Sequence, residues 1–212
     1  MKVLGLLSRK GGAGKTTLAV HLAVAAEQTG KRTLILDADP QRSAASWWQA
    51  REAGSPQMEA VEAATLPSVI EAARKAGMDL VVIDTRPSVE ADAAAVAKLS
   101  DYLLIPTRPA ILDLRAILGT LDIVKGSARK AAIVLNACPP TRGLSASAAV
   151  VREARQALKA FGVPVAAPTL TQRAAFSHAL VAGLTVTEAE PDGKAALEVR
   201  ALWKFVEKEL FR

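Results

Sequence analysis

The sequence predicts a single α/β domain in which a parallel sheet carries helices on both faces. Short apolar runs alternate with amphipathic stretches along the chain, as in repeated strand–helix–strand units. A glycine-rich loop joins the first predicted strand to the first predicted helix, in the order that a P-loop NTPase fold requires. The chain has 212 residues, half of them hydrophobic, which suits one well-buried core and is too short for two. We therefore expect one domain over residues 1–212.

Composition narrows the classes of function. The formal net charge is +6 and the isoelectric point is near 9.7, which favours an anionic partner. Cys138 is the single cysteine, so the sequence excludes an internal disulfide and a CxxC metal or iron–sulfur site and indicates a reducing, cytoplasmic setting. No apolar run approaches the ~20 residues of a membrane span.

The first strand, loop and helix read VLGLLSRKGGAGKTT from Val3 to Thr17. Backbone N–H groups of small residues, together with the start of a helix, make a binding site for phosphate. Lys15 is predicted to face the terminal phosphates, and the Thr16 hydroxyl to ligate Mg²⁺. A dinucleotide-binding loop fits less well because Lys-Thr-Thr stands where its third glycine belongs. The predicted nucleotide contacts are Gly11, Gly12, Ala13, Gly14, Lys15, Thr16 and Thr17.

Two predicted strands end in aspartate. Asp37 and Asp39 follow the second strand at a spacing of two, so their side chains point the same way from an extended chain. Asp84 closes the apolar run LVVI, as the acid of a Walker B strand does. We expect Asp37 and Asp84 to join Thr16 around the Mg²⁺ ion. A turn stabilised by aspartates is the alternative for the first pair.

The remaining chain continues the strand–helix alternation. Trp47 and Trp48 cannot both face one way from a helix, so we expect one in the core and one more exposed. The irregular segment 137–143 follows a strand and is expected to lie over the carboxyl edge of the sheet, where ligands bind in open α/β folds. The predicted strands cover residues 2–7, 32–37, 58–62, 79–84, 102–106, 131–136 and 163–167.

One position departs from the standard phosphate loop. Arg9 stands where the pattern G-x-x-x-x-G-K-[ST] has its first glycine, and a second lysine, Lys10, follows it. With this lysine the loop resembles the deviant Walker loop of the ParA/MinD family of ATPases, and in shape the chain is most similar to the short plasmid-type ParA partition proteins. The motif DADPQ after the second strand and the Ile-Pro-x-x-Pro pattern that precedes Asp113 extend this resemblance over essentially the whole chain.

The resemblance implies roles for individual residues. Lys10 would reach the partner's nucleotide in an ATP-bound homodimer, and Asp39 would position the attacking water, which makes Lys10, Lys15 and Asp39 the catalytic set. Asn136 would read the adenine edge, and Asp113 would help to order the dimer interface. A solvated charge at Lys10 and a strand-capping asparagine at Asn136 are the plain alternatives.

One departure and two rival functions accompany this resemblance. Arg86 replaces a proline that usually follows the Walker B strand. A metabolic enzyme is disfavoured because His21 and His178 are isolated. A MinD-like membrane-associated ATPase is the alternative, since the final segment carries an apolar stripe. Packing of this helix on the sheet is the preferred explanation of the stripe. The stripe is formed by Val199, Leu202, Trp203, Val206 and Leu210.

The function implied by the resemblance is partitioning or positioning. Mg²⁺ and ATP would close the homodimer, the dimer would bind DNA non-specifically, and a ParB-like adaptor would stimulate hydrolysis and release. The protein would then be cytoplasmic and nucleoid-associated, with membrane contact not expected. An ordinary solvated face is the alternative for the basic residues that we propose as DNA contacts, which are Arg173, Lys194, Arg200, Lys204 and Lys208.

Overall fold

The computed structural model describes residues 1–87, 90–140 and 146–212. Its strands are β1 (Lys2–Leu6), β2 (Thr33–Ala38), β3 (Gln57–Ala60), β4 (Leu80–Thr85), β5 (Tyr102–Thr107) and β6 (Lys130–Leu135). Its helices are α1 (Lys15–Gln28), α2 (Ser43–Gln49), α3 (Leu66–Lys75), α4 (Glu90–Leu99), α5 (Ile111–Ala116), α6 (Leu118–Ser127), α7 (Ala146–Lys159), α8 (Ala174–Val181), α9 (Val186–Ala189) and α10 (Lys194–Leu210).

The strands form one parallel sheet in the order β3-β2-β4-β1-β5-β6. The strand that leads into the phosphate loop, β1, therefore lies between β4 and β5. Asp37 and Asp84 are register partners on β2 and β4, so the two carboxylates leave the sheet at the same level. The predicted single-domain α/β fold is confirmed.

Helices cover both faces of the sheet, which explains why the central strands are apolar throughout. On one face α1 and α10 pack against alternate strand residues such as Ile35 and Val82. On the other face α3, α4, α6 and α7 pack against their neighbours, such as Leu36 and Ile83. Both layers meet the sheet through fully buried side chains, so the sheet holds the strand ends in fixed positions.

The seventh predicted strand, over residues 163–167, does not join the sheet as a strand. The structure has only an isolated parallel bridge between Ile133 and Val165. Ile133 donates its N–H to the carbonyl of Pro164 and accepts from the N–H of Ala166, at 2.8 Å each. Proline has no N–H to extend the ladder, which is consistent with pairing limited to this bridge.

The C-terminal stripe is buried. Val199, Leu202, Trp203, Val206 and Leu210 are at most 2% exposed and belong to the core that α10 shares with α1. Core packing therefore explains the stripe, and its apolar side chains are not on the surface for a membrane. Within residues 1–87, 90–140 and 146–212, no helix has both the length and the apolar character that a membrane span needs.

The two tryptophans divide as expected. Trp47 is buried and its Nε1 donates to the carbonyl of Leu184, whereas Trp48 is half-buried and donates to Pro56. Both rings are thus engaged within the chain, and the prediction of one core and one more exposed tryptophan is confirmed.

Gly5 allows close packing behind the phosphate loop. A Cβ at this position of β1 would lie 2.4 Å from Ser100 Oγ and 2.9 Å from Leu103 Cδ2. We expect Gly5→Ala to lower the free energy of unfolding by about 1–3 kcal/mol, because the core must shift to admit the methyl group. Urea denaturation measures the change.

Gly126 provides the matched control for Gly5. It lies in α6, and a Cβ there would meet no atom within 4 Å. Gly126→Ala should leave stability unchanged or raise it by up to about 1 kcal/mol through helix propensity. Equal destabilisation in both variants would contradict the packing argument.

Candidate functional site

The phosphate loop is held open by its glycines and by Asn136. Gly12 and Gly14 have φ angles of 71° and 94°, in the region that favours glycine. A Cβ at Gly14 would lie 2.1 Å from Asn136 Nδ2, and the same Nδ2 donates to the carbonyl of Ala13 at 2.8 Å. The side chain at the end of β6 therefore braces the loop directly. Its role in reading adenine stays a prediction.

Lys15 is the buried cation of the site. It is 5% exposed, and its Nζ donates to the carbonyl of Ser8 at 3.2 Å. Burial lowers the pKa of Lys15, whereas Asp84 and Asp39 act in the opposite direction. The ammonium group thus lies inside the loop near two carboxylates, in surroundings suited to a strongly anionic ligand.

Asp84 has no hydrogen-bond partner in the part of the chain that the structure describes. Both of its carboxylate oxygens are buried and unpaired. Burial raises the pKa of Asp84 to about 7, and the Thr16 hydroxyl and Lys15 only partly offset this rise. A buried carboxylate without donors is costly unless a cation or a proton accompanies it. Asp84 and Thr16 therefore fit a Mg²⁺ ion.

Binding of Mg²⁺ would depend on the phosphates of the nucleotide as well as on protein side chains. Among the described residues, no group of three or more His, Cys, Asp or Glu side chains has the arrangement of a metal site. Mg²⁺ characteristically uses one or two protein oxygens and completes its shell with phosphate oxygens and water. When bound, the ion would neutralise charge on the terminal phosphates, while Lys15 and the loop amides hold them.

Asp37 is bonded differently from Asp84. One oxygen accepts the N–H of Asp39 and the other accepts the N–H of Ala45, both at 3.0 Å. These bonds fix the turn after β2 and the start of α2. The metal role of Asp37 stays a prediction, and the hydrogen bonds that its carboxylate accepts come from backbone N–H groups.

Asp39 lies in that turn and is 8% exposed. Its Oδ1 accepts the N–H of Gln41 at 2.9 Å. The guanidinium of Arg42 donates to the carbonyls of Asp37 and Val61, at 2.6 and 3.0 Å, and so holds the turn against the end of β3. The predicted water-positioning residue therefore lies on a braced segment beside Lys15.

Lys10 and Arg9 account for the departure from the standard loop. Arg9 packs on α6: its backbone N–H donates to Thr120 Oγ1 at 3.1 Å, and its guanidinium lies over Gly119, where a Cβ would come within 2.4 Å. Lys10 is exposed. One lysine of the loop is thus buried and the other points to the surface, and the trans role of Lys10 stays a prediction.

A cavity of about 350 Å³ opens beside the loop, on the β5–β6 side. Its lining includes Thr17 and Asn136 and the aromatic ring of Phe176, which suits a purine base with its ribose. Four of its lining residues, Gly12, Gly14, Thr17 and Asn136, were predicted as nucleotide contacts. The sequence held no direct signal for the others, because they come from distant segments. The full lining is Gly12, Gly14, Thr17, Arg108, Asn136, Ala137, Thr171, Gln172, Arg173, Phe176 and Ser177.

Several other predicted residues have partners of their own. Arg86 Nε donates to Asp92 Oδ2 at 3.0 Å, so it forms a salt bridge near the second acidic strand end. Arg173 pairs with Glu198 at 2.8 Å and lines the cavity, so it does not belong to the basic row on α10.

Of the predicted loop segment 137–143, residues 141–143 lie outside the described residues.

Both histidines are helical, as expected. His21 is fully buried in α1, with Nδ1 2.7 Å from the carbonyl of Thr17, and burial lowers its pKa to about 4. It is therefore neutral at physiological pH and packs edge-on against Phe176, with ring centroids 5.1 Å apart. His178 lies exposed on α8.

Asp84 and Asp37 are a matched pair of buried aspartates for which we expect opposite effects on the nucleotide-free protein. Asp84→Asn should raise the free energy of unfolding at pH 8 by about 1–3 kcal/mol, because it removes an unpaired buried charge. A raised carboxyl pKa lowers stability as pH rises through it, so this gain should shrink below pH 7. The variant should also lose the stabilisation that Mg-ATP gives.

Asp37→Asn should instead lower the free energy of unfolding by about 1–3 kcal/mol. Each carboxylate oxygen of Asp37 accepts one backbone N–H, whereas asparagine has a single oxygen, so its NH₂ group would face the second donor. Urea titrations at pH 6 and pH 8, with and without Mg-ATP, measure both variants. Destabilisation of the nucleotide-free protein by Asp84→Asn would contradict the account of Asp84 as an unpaired charge.

The chain is similar to known nucleotide-binding proteins. The sequence profile of the CobQ/CobB/MinD/ParA nucleotide binding domain matches residues 4–186. A maintenance of carboxysome distribution protein A from Gloeobacter kilaueensis is 36% identical over 214 residues, covering 100% of this chain and 94% of that protein. A protein ParA from Rhizobium radiobacter is 28% identical, covering 84% and 81%.

A solved structure shares the fold. The ATP complex of a Cyanothece McdA variant superposes with a TM-score of 0.74 at 17% identity, covering 99% of this chain and 96% of that one. The family profile spans most of the chain, and the Gloeobacter relative matches along its whole length. This protein therefore belongs to the CobQ/CobB/MinD/ParA nucleotide-binding family, as a P-loop ATPase of the ParA/MinD type.

Proposed function

We propose that this ATPase positions DNA or another cellular cargo through a cycle of ATP-driven dimerisation. Mg-ATP closes a homodimer, the dimer binds DNA without sequence preference, and an adaptor protein stimulates the hydrolysis that releases it. The names of the relatives support this proposal, since they include a carboxysome distribution protein and a ParA protein. The proposed location is the cytoplasm, on the nucleoid.

The observation that carries the proposal is the contrast between the two loop lysines. Lys15 is 5% exposed and lies inside the loop, whereas Lys10 is exposed and its side chain has no carboxylate within 4 Å among the described residues. A cation on the outside of a phosphate loop is placed to meet an anion that comes from outside the chain. A second subunit with its own triphosphate supplies such an anion.

An apolar patch beside Asp113 supports a subunit contact. Ile111 and Leu112 are 68% and 67% exposed, and Leu118 is 46% exposed. They follow the carboxyl end of β5, the sheet edge from which the phosphate loop also rises. Exposed large aliphatic side chains in one short segment are typical of interaction surfaces. A homodimer closed over the nucleotide would cover this patch.

The basic face of α10 supports the DNA part of the proposal. Lys194, Arg200, Lys204 and Lys208 are all exposed. Glu207, which precedes Lys208 on this helix, forms a salt bridge with Lys31 at 3.6 Å. Arg200 donates to the carbonyl of Pro191 at 2.5 Å, so Lys204 and Lys208 are the more available cations.

The two lysines of the loop give the first test. Lys15→Ala should abolish binding of ATP and ADP, because it removes the buried charge that faces the phosphates. Lys10→Ala should keep ATP binding but fail to dimerise or hydrolyse ATP. Calorimetry measures the affinities, and light scattering with Mg-ATP measures the dimer; equal loss of ATP affinity in both variants would contradict the trans role of Lys10.

The DNA surface is tested by the salt dependence of binding. Each phosphate contact contributes about 0.9 to the slope of log affinity against log salt, so replacing Lys204 and Lys208 in both subunits should flatten the slope by about 3 to 4. ATP-driven dimerisation should be unchanged. The matched control is Lys75→Ala/Lys159→Ala, which removes the same charge from α3 and α7 on the opposite face.

The same protein preparations distinguish the proposed DNA-binding function from that of a membrane-associated ATPase. With Mg-ATP the wild-type protein should co-sediment with DNA of unrelated sequences and not with anionic liposomes. A wild-type slope in the Lys204/Lys208 variant would place the DNA surface elsewhere on the protein. Binding to liposomes without binding to DNA would overturn the proposal in favour of a membrane-associated ATPase.

A further inference from the structure

Arg108 brings a further cation to the phosphate loop, from the β5 side. It follows Thr107, the last residue of β5, and β5 is the direct neighbour of β1. Its Nη2 lies 3.6 Å from where a Cβ of Gly12 would stand. Asp84 lies one residue before the end of β4, on the other side of β1, so the candidate metal ligand and the arginine flank the loop from opposite directions.

The guanidinium of Arg108 has no protein acceptor. Among the described residues it forms no ion pair, and the only hydrogen bond at this position is to its backbone carbonyl, from Thr107 Oγ1. Arg86 and Arg173, two other arginines near the site, are paired with carboxylates. Arg42 donates to backbone carbonyls, and the Arg9 side chain packs over Gly119 on α6. Arg108 is thus an unneutralised charge that lines the nucleotide-side cavity.

The position within the cavity favours phosphate over base. The Arg108 guanidinium lies against Gly12 of the phosphate loop, with Nη2 3.6 Å from where a Cβ of Gly12 would stand. Gly14 and Thr17 line the same cavity, and Phe176 and Asn136 add an aromatic ring and an amide suited to a base. A diphosphate that joins a base in this cavity to terminal phosphates at Lys15 must pass Gly12.

We infer that Arg108 is a nucleotide-binding residue that holds the α- and β-phosphates of the nucleotide in its own subunit. A planar guanidinium donates two parallel N–H bonds to phosphate oxygens, a geometry that lysine does not reproduce. The contact persists after loss of the terminal phosphate, so it retains ADP as well as ATP. Arg108 thereby differs from Lys10, for which the proposed role requires a second subunit.

ADP binding tests the inference without the complication of dimerisation. Arg108→Gln should weaken ADP and ATP about 10- to 100-fold, the range expected for loss of a charge-assisted phosphate contact. Adenosine should bind with unchanged affinity, because it has no phosphate. Arg108→Lys should recover only part of the loss. The thermal midpoint without nucleotide should not change, since the Arg108 guanidinium forms no hydrogen bond with any described residue and the Thr107 hydroxyl bonds only its backbone carbonyl.

The control is Arg115→Gln, which removes an equal charge from an exposed position on α5. Three results would each overturn the inference: unchanged ADP affinity, an equal loss of adenosine affinity, or weaker ATP dimers with normal ADP binding. The second would place the arginine on the base, and the third would place it on the partner's nucleotide. The inference rests on nucleotide binding alone, and Lys15→Ala tests that separately.

Discussion

The site depends on one electrostatic constraint, which is the burial of the Asp84 carboxylate, whose charge the described residues around it only partly compensate. β4 is central and fully covered, so its last acid leaves the sheet in surroundings that exclude water. Lys15 is the nearest compensating charge, yet its Nζ donates to the Ser8 carbonyl. Without nucleotide, the buried negative charge of Asp84 is therefore only partly compensated. A metal ion bound together with phosphates would compensate it, so ligand binding and stability are linked through Asp84.

Helix α2, which follows the turn that carries Asp39, is held by contacts at both of its ends. At the start, Asp37 accepts the N–H of Ala45. Beyond the C-terminal end, Arg51 is 3% exposed in its side chain, pairs with Glu188 at 2.6 Å and donates to the carbonyl of Gly183 at 3.0 Å. Burial opposes ionisation of Glu188, but the hydrogen bonds from Arg51 and Thr185 outweigh it and lower its pKa. Helix α2 is thereby tied to the α8–α9 segment, and α8 carries Phe176 of the base cavity.

Local sequence was sufficient for the parts of the site that lie on one strand end. The phosphate loop, Lys15, Asp37 and Asp84 were predictable because strand, loop and helix follow one another in the chain and parallel strands end at one edge. Asn136 bracing Ala13 depends on a contact across 123 residues, and no local pattern encodes it. Arg108 beside Gly12 is likewise set by the strand order, since β5 must be known to flank β1. The seventh strand was overpredicted because an apolar run does not reveal where pairing stops.

The three cations around the phosphate loop differ in what each can reach. Lys15 is buried beneath the loop and can meet only a ligand that enters it. Arg108 lies at the rim above Gly12, within reach of the part of the nucleotide that lies between base and loop. Lys10 is exposed and faces away from the core. In the proposed cycle the first charge would set affinity, the second would retain product, and the third would act only when another molecule brings an anion to it. Binding of nucleotide and response to a partner would then depend on different cations.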